Sequence, residues 1–370
     1  MKKIIFTVTN DLSFDQRMQR ICNSIALAGY EVLLVGKKVK TSTPLPTFSF
    51  TCKRITCWFI KGFGFYIEFN IRLFIFLLFT KADALCAIDL DTILPNYLVS
   101  AIKNKKRVYD AHELFTEQKE IVTRPFIHTI WLAIEKFSVP KFTNGYTVNA
   151  FIKDELARRY KVNYGIIRNM PLGDNRMQMT DDRLEISNFK FLIYQGAVNE
   201  GRSFETLIPA MKQVNMPLMI CGEGNFYEQT KALIAKHHLQ NKIILKGYVA
   251  PDELKAITPT ALFGLTLFEK TGLNQYYSLS NRFFDYVMAG IPQICVGYPE
   301  YKFINDKYEI ALLIDDVDEQ TIANAMNKLL TDVVLYKQLQ QNCINARAFL
   351  NWSEEEKTLI AFWNNVFESS

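Results

Sequence analysis

Residues 274–297, NQYYSLSNRFFDYVMAGIPQICVG, hold the densest group of side chains that could do chemistry. They read as a polar loop, a short helix and a buried strand: Gly290 and Pro292 end the helix, and residues 294–297 enter a sheet. Ser280, Asn281 and Arg282 gather at the helix start, and Asp285 follows within about one turn. A helix N-terminus offers unsatisfied backbone N–H groups and a partial positive charge, which suit a phosphate. A carboxylate one turn in can accept hydrogen bonds from a ribose diol. Together they point to a nucleotide-sugar site, although the same residues also fit an ordinary strand–helix–strand unit whose Asp suits the helix dipole.

Other loops between strand and helix carry similar signals. Residues 195–203, QGAVNEGRS, place Gly196 and Gly201 where backbone could approach a ligand closely, and Arg202 where it could reach a diphosphate. The glycine spacing is not GxGxxG, so a dinucleotide fingerprint is absent. Gly222 and Gly224 flank Glu223 at the end of the next strand, as a ligand approach or merely a tight turn. Tyr248 and Val249 end the strand after that, where backbone could meet a base edge or Tyr248 could be core. Earlier in the chain, His112 and Glu113 close the run YDAHE, where a His beside a carboxylate can bind a sugar or move a proton. Asp89-Leu90-Asp91 has the form of a DxD metal motif, but the chain offers few other ligands and no metal site is expected.

The elements that must position these residues alternate. Residues 4–9 form an apolar strand, Ser13 and Gln16 have capping-box spacing, and Phe14, Met18, Ile21 and Ile25 make a helical stripe. Gly29 stops that helix before a strand at 31–36. Further strands are expected at 84–88, 107–110, 146–149 and 164–168. After a polar stretch at 173–188 a second series begins, at 191–194, 218–221, 243–245, 262–267, 293–296 and 311–314. Alternation of this kind means α/β architecture, with mostly parallel sheets covered by helices. Asn169-Met170-Pro171 reads as a hinge. The expected division is 1–170, 171–350 and a final helix at 351–370, capped by Ser353 and apolar enough to pack across both domains. Doubly wound domains bind ligands at the carboxyl ends of their strands, and two of them facing each other place the site in the cleft between.

With 370 residues, two domains fit the usual ~150 residues per domain. A net charge of +5 is too small to imply nucleic acid but tolerates an anionic membrane or a phosphorylated substrate. Seven cysteines without framework spacing, Cys52 and Cys57 the closest pair, read as reduced thiols. Met1-Lys2-Lys3 runs directly into a strand, so a cytoplasmic protein is expected rather than a secreted one. Residues 58–79, WFIKGFGFYIEFNIRLFIFLLF, form a helix that is not expected to span a bilayer, because Lys61, Glu68 and Arg72 interrupt it. It is either a buried core helix or an apolar face resting on the inner surface of the cytoplasmic membrane, with Lys53, Arg54, Lys61 and Arg72 toward headgroups.

The motifs TVTNDLSFDQRMQRICNSIALAGYEVLLVG, AIDLDTILP, VYDAHELFTE, IIRNMP, YQGAVNEGRSFETLI, ICGEG, LKGYVAPDEL and YYSLSNRFFDYVMAGIPQI, in that order, resemble the family-4 (group 1) glycosyltransferases of the GT-B fold over nearly the whole chain. They look closest to bacterial enzymes that build surface polysaccharides. The resemblance implies retaining transfer from a nucleotide-diphosphate sugar to a glycan or lipid-linked acceptor, with no cofactor and no metal. In it Asp285 matches the ribose carboxylate, and Arg202 the basic residue on the diphosphate. Gly196, Ser280, Asn281 and Arg282 lie around the same phosphates, Tyr248 and Val249 touch the base, and His112 lies near the transferring sugar. Asp15 and Arg17 match a polar pair on the first helix that faces the cleft. Two positions depart from the pattern: Tyr277 stands where the family often has a glutamate, and Ala197 where many relatives have an arginine. The rival readings are a nucleotide-sugar epimerase of the same fold class and a non-catalytic sugar-nucleotide or glycan-binding partner.

Overall fold

The computed structural model describes residues 1–13, 15–173 and 190–368. The expected polar stretch at 173–188 and the stripe residue Phe14 therefore fall largely outside the described residues. The chain divides into two compact units, Met1–Asn169 with Glu355–Ser370, and Met170–Glu354.

The first unit is built on seven parallel strands: β1 (Lys3–Asp11), β2 (Glu31–Lys38), β3 (Thr51–Thr56), β4 (Ala84–Ile88), β5 (Lys106–Ala111), β6 (Asn144–Thr147) and β7 (Gly165–Ile166). Their order is β3-β2-β1-β4-β5-β6-β7, so the winding reverses between β1 and β4. β3 has no apolar run to announce it: in TCKRIT only Ile55 is buried, as befits an edge strand. The helix Gly62–Phe79 begins four residues later than the expected start at 58 and lays Phe65, Phe69, Leu73 and Leu77 on Ile5, Val35, Leu85 and Val99 of the layer beneath. The first helix, Gln16–Leu27, is capped by Asp15 rather than Ser13, because the Asp15 Oδ1 accepts from the amide of Met18 at 3.0 Å. The last helix, Trp352–Glu368, starts before Ser353; the Asn351 side chain, not Ser353, accepts from the Glu354 amide at 3.2 Å. Its later turns belong to the first unit. Trp363 is fully buried with its ring 5.4 Å from Phe6, and Tyr30 donates to Asn364 at 2.7 Å.

The second unit has six parallel strands: β8 (Leu192–Gln195), β9 (Leu218–Cys221), β10 (Ile243–Gly247), β11 (Gly264–Thr266), β12 (Gln293–Val296) and β13 (Ala311–Ile314). Their order is β10-β9-β8-β11-β12-β13, with the reversal between β8 and β11. Leu192, Tyr194, Leu218 and Ile220 face one apolar layer, and Ile193, Met219 and Cys221 face the other. A sheet buried on both faces explains why these strands read as continuous apolar runs. β11 is shorter than expected because residues 262 and 263 lie before it and 267 after it. All seven cysteines are free thiols.

Candidate functional site

In the second unit the site residues collect at the carboxyl ends of β8 to β11 and at the start of the helix Asn281–Ala289. β8 ends at Gln195, and Gly196 follows at φ +109°, a conformation side-chain-bearing residues rarely adopt. A Cβ on Gly222 would lie 1.9 Å from the Gly196 carbonyl oxygen, and one on Gly224 would lie 2.3 Å from that of Val198. Glycine is thus required at 222 and 224 so that the loop after β9 can lie against the loop after β8. Arg282, in the first turn of the helix, is only 6 % exposed. Its guanidinium carbon sits 4.2 Å from the Tyr194 ring centroid and 5.3 Å from that of Phe268, and Nε donates to Ser280 Oγ at 3.2 Å. Among the described residues no carboxylate pairs with Arg282, and its buried Nη1 has no hydrogen-bond partner. Burial by itself would lower the Arg282 pKa, but the tyrosines around it, Tyr194 foremost, hold it above its ordinary value, so the group is charged. Arg202 lies over the other partner ring, 4.2 Å from Phe268. Two guanidiniums therefore share one aromatic ring, an arrangement that suits an anion.

Asp285 is half-buried one turn further along and is aimed by a relay. Gln195 Nε2 donates to its Oδ2 at 3.1 Å, and Thr258 Oγ1 donates to Gln195 Oε1 at 2.7 Å. The Gln195 amide donates to the Tyr286 hydroxyl at 3.2 Å. The Tyr286 ring fits only because residue 264 is glycine, where a Cβ would lie 2.4 Å from the ring. Asn281 is exposed at the helix start, while the Ser280 amide already donates to Tyr301 at 2.9 Å. Tyr248 is 63 % exposed after β10, its amide donating to Glu223 at 3.3 Å, and Val249 packs half-buried against the inner layer.

In the first unit the strand order brings the ends of β1, β4 and β5 together. His112 follows β5. Its amide donates to Asp89 Oδ1 at 2.8 Å, its Nδ1 is 3.3 Å from Asp89 Oδ2, and its Nε2 is 3.1 Å from Asp110 Oδ2. Arg17 is buried and fully engaged: Nε donates to His112 Nε2 at 2.8 Å, Nη2 to Asp110 at 3.0 Å and Nη1 to the Ile167 carbonyl at 3.3 Å. Burial opposes a charged His112, but Asp110 and Asp89 outweigh it and push the imidazole up to about 9. Nε2 can accept from Arg17 or donate to Asp110, not both, so protonation there requires Arg17 Nε to give way. Burial, with Glu113 and Asp91 nearby, pushes Asp89 up to about 7, and burial pushes Asp91 up to about 6. Asp89 also holds φ +54°, in the left-handed region. The two acids of the DxD-like run, at which no metal site is expected, are engaged internally, Asp89 by His112 and Asp91 by the Thr9 hydroxyl.

The structure groups Gly196, Ser280, Arg282 and Asp285 in the second unit, with Arg202 joined through Phe268. It groups Arg17 with His112 in the first. Asp15 instead caps its helix and accepts from Asn10 at 3.0 Å, and Glu113 accepts from Gln118. Sequence reasoning missed Tyr194 and Tyr286, which read only as strand and helix core, gave no role to Gln195 at the start of the loop 195–203 or to Phe268 just past the strand expected at 262–267, and missed Asp110 as the partner of both Arg17 and His112. The departure at Ala197 leaves no gap in the backbone network, since its carbonyl accepts from Tyr194 at 2.8 Å.

A model of the glycosyl transferases group 1 family matches residues 178–346. No curated protein matches the chain. Among solved structures, a sucrose-phosphate synthase from Thermosynechococcus elongatus is similar at TM-score 0.80 and 16% identity, covering 100% of each chain. Anabaena HepE in complex with UDP-glucose is similar at TM-score 0.77 and 11% identity, covering 99% of this chain and 100% of that one. WaaG, a glycosyltransferase involved in lipopolysaccharide biosynthesis, is similar at TM-score 0.71 and 15% identity, covering 97% and 99%. At such identities these structures speak for the fold alone. Residues 178–346 are thus similar to the glycosyl transferases group 1 family, in a chain whose two parallel sheets have the GT-B fold.

Proposed function

We propose that this protein is a retaining glycosyltransferase that moves a hexose-type sugar from a nucleotide-diphosphate donor to a glycan or lipid-linked acceptor in bacterial surface polysaccharide synthesis. The observation that carries the reading is Arg282, a buried, charged guanidinium with no carboxylate partner among the described residues, set at a helix start beside Gly196. A buried cation without a counter-charge is costly, and a diphosphate would supply that charge. Arg202 would join it across Phe268, relieving the repulsion between the two guanidiniums. Asp285, aimed by Gln195, would accept from the ribose hydroxyls, and the backbone at Tyr248 and Val249 would meet the base.

In this reading Arg282, Arg202 and the helix amides stabilise the charge that develops on the leaving diphosphate, so no metal is required. The donor phosphate takes the proton of the acceptor hydroxyl as the glycosidic bond to phosphate breaks and the new one forms on the same face. His112 would turn Nδ1 from Asp89, 3.3 Å away, to donate a hydrogen bond to the sugar being transferred, while Nε2 stays beside Asp110. UDP-glucose in the HepE complex is the ligand of a similar fold and makes UDP-sugars the first donors to try.

The test is a thermal-shift screen with UDP, GDP, ADP, CMP and NAD in the presence and absence of EDTA. Ligand at ~100 times its dissociation constant adds about 2.7 kcal/mol of stability. A shift with one nucleoside diphosphate, unchanged by EDTA, supports the donor site and names its base. A shift only with NAD, or none at all, overturns it. Donor binding followed by epimerised sugar without acceptor would instead select the epimerase.

A further inference from the structure

The helix Gly62–Phe79 is apolar on both faces, and only one of them is buried. Phe65, Phe69, Leu73 and Leu77 face the sheet. On the opposite side Phe63, Ile67, Ile71, Ile75 and Phe79 repeat every fourth residue and are between 45% and 82% exposed. A surface helix of a protein in water normally carries polar residues there, and one apolar all round is covered by something. The loop before it extends the same surface: Trp58 is 85% exposed, Phe59 58% and Ile60 66%. This loop is held in place. The Glu68 carboxylate accepts from the amides of Trp58 and Phe59 at 2.9 Å and from Arg72 Nε at 2.8 Å, and the Arg72 guanidinium lies 4.8 Å from the Trp58 ring centroid.

By length and composition this helix could cross a membrane. Its inner face, however, is part of the sheet core, so it can only lie along a surface. The charge around it says which kind. Residues 32–82 contain eight of the chain's 43 Lys and Arg and one of its 38 Asp and Glu, so the stretch carries +7 and the remainder −2. The single acid is Glu68, already neutralised by Arg72. Lys53, Lys61 and Lys81 are exposed and have no ion pair among the described residues. An apolar ridge with a cationic rim and no free acid matches a bilayer with anionic headgroups, where the rings and aliphatic chains enter the acyl boundary and the lysines meet phosphates.

We propose that the outer face of the helix Gly62–Phe79, with Trp58, Phe59 and Ile60, docks the protein flat on an anionic membrane leaflet. Trp58 reports on this directly, since Trp131, Trp352 and Trp363 are all buried. The full-length protein is mixed with vesicles of phosphatidylglycerol and phosphatidylcholine, and with phosphatidylcholine alone. The expected result is co-sedimentation with the anionic vesicles, a blue shift of tryptophan emission and quenching by brominated acyl chains, with the blue shift and the quenching both lost in Trp58→Phe, which leaves only the three buried tryptophans. Trp58→Ser/Phe79→Ser, at exposed positions, should weaken vesicle binding at least tenfold while leaving thermal unfolding unchanged. Lys53→Glu/Lys61→Glu should lose roughly fivefold per cation removed. No binding to anionic vesicles at low salt overturns the proposal. Binding in which Trp58 stays open to iodide and unquenched by bromolipid also overturns it, by showing another face docks. A dimer broken by Ile71→Glu, with no vesicle binding, overturns it in favour of a second copy on this face.

Discussion

Replacing Arg282 by Met should separate ligand binding from stability, with opposite signs. The side chains are similar in length, so the change chiefly removes the buried charge. In the empty protein that charge has no carboxylate partner among the described residues, and its compensation is the two aromatic faces at 4.2 and 5.3 Å. Such cation–π contacts contribute about 2 kcal/mol when desolvated, whereas burying an ion costs several kcal/mol. The substitution should therefore stabilise the empty protein by about 1–2 kcal/mol, raising Tm by roughly 2–8 °C for a unit of this size. A guanidinium that grips a diphosphate by two charge-assisted hydrogen bonds contributes about 3 kcal/mol, so affinity should fall more than about 100-fold. At a nucleotide concentration ~100 times the wild-type Kd, the ligand-induced stabilisation would fall from about 2.7 to about 0.4 kcal/mol. Scanning calorimetry with and without the nucleoside diphosphate measures both quantities, and titration calorimetry checks the affinity. A variant that is less stable when empty yet binds nucleotide normally would refute the reasoning, because Arg282 would then be a packing residue.

Three further outcomes are expected. Asp285→Ala should raise the Kd for a nucleoside diphosphate by about 10- to 100-fold but leave the Kd for its 2′-deoxy analogue nearly unchanged, if the carboxylate reads the ribose diol; equal losses for both ligands in titration calorimetry would remove that role. For His112, the folded pKa of about 9 exceeds the unfolded value of ~6.5, so its contribution is complete below ~6.5 and disappears as pH rises to 9. Urea unfolding should show stability falling by up to about 3 kcal/mol across that window in wild type and by much less in His112→Asn, which should also slow transfer while binding nucleotide normally; an identical pH slope in both proteins would contradict the charged His112. Gly222→Ala puts a Cβ 1.9 Å from the Gly196 carbonyl at a positive φ and should cost about 3 kcal/mol or more, lowering Tm and nucleotide affinity together; a variant with wild-type Tm would show that the two loops can part freely.

The two sheets were legible because parallel strands covered on both faces leave unbroken apolar runs, as in LIYQ, LMIC and QICV, and because glycines mark the turns after them. β3 was not, since an edge strand with only Ile55 buried leaves little apolar signal. The capping error at the first helix has a similar origin. Ser13 and Asp15 are both good caps by type, and only the three-dimensional path shows that Asp15 reaches the Met18 amide. Around Arg282, the sequence showed a cation at a helix start but not its surroundings. Tyr194 and Phe268 lie 88 and 14 positions away and reach it because β8 and β11 are neighbours.

Strand order also decides the chemistry of the first unit. His112 and Glu113 are adjacent in sequence, which made them look like an acid–base pair, yet Glu113 turns to Gln118. The partners His112 actually has come from elsewhere: Asp89 from the end of β4, Asp110 from β5 and Arg17 from the helix after β1. The order β1-β4-β5 places the three beside one another, and nothing in local periodicity encodes that order. The consequence is electrostatic. Two acids are pushed up to about 7 and about 6 and an imidazole up to about 9 within one buried group, where an isolated reading of each residue assigns ordinary values. Both units carry an electrostatic cost at the point where their strand order reverses: Asp89 beside β1 and β4, Arg282 beside β8 and β11. A soluble core has no need of either: Asp89 is met by His112, and in the proposed site the counter-charge that Arg282 lacks would come from the diphosphate of the donor.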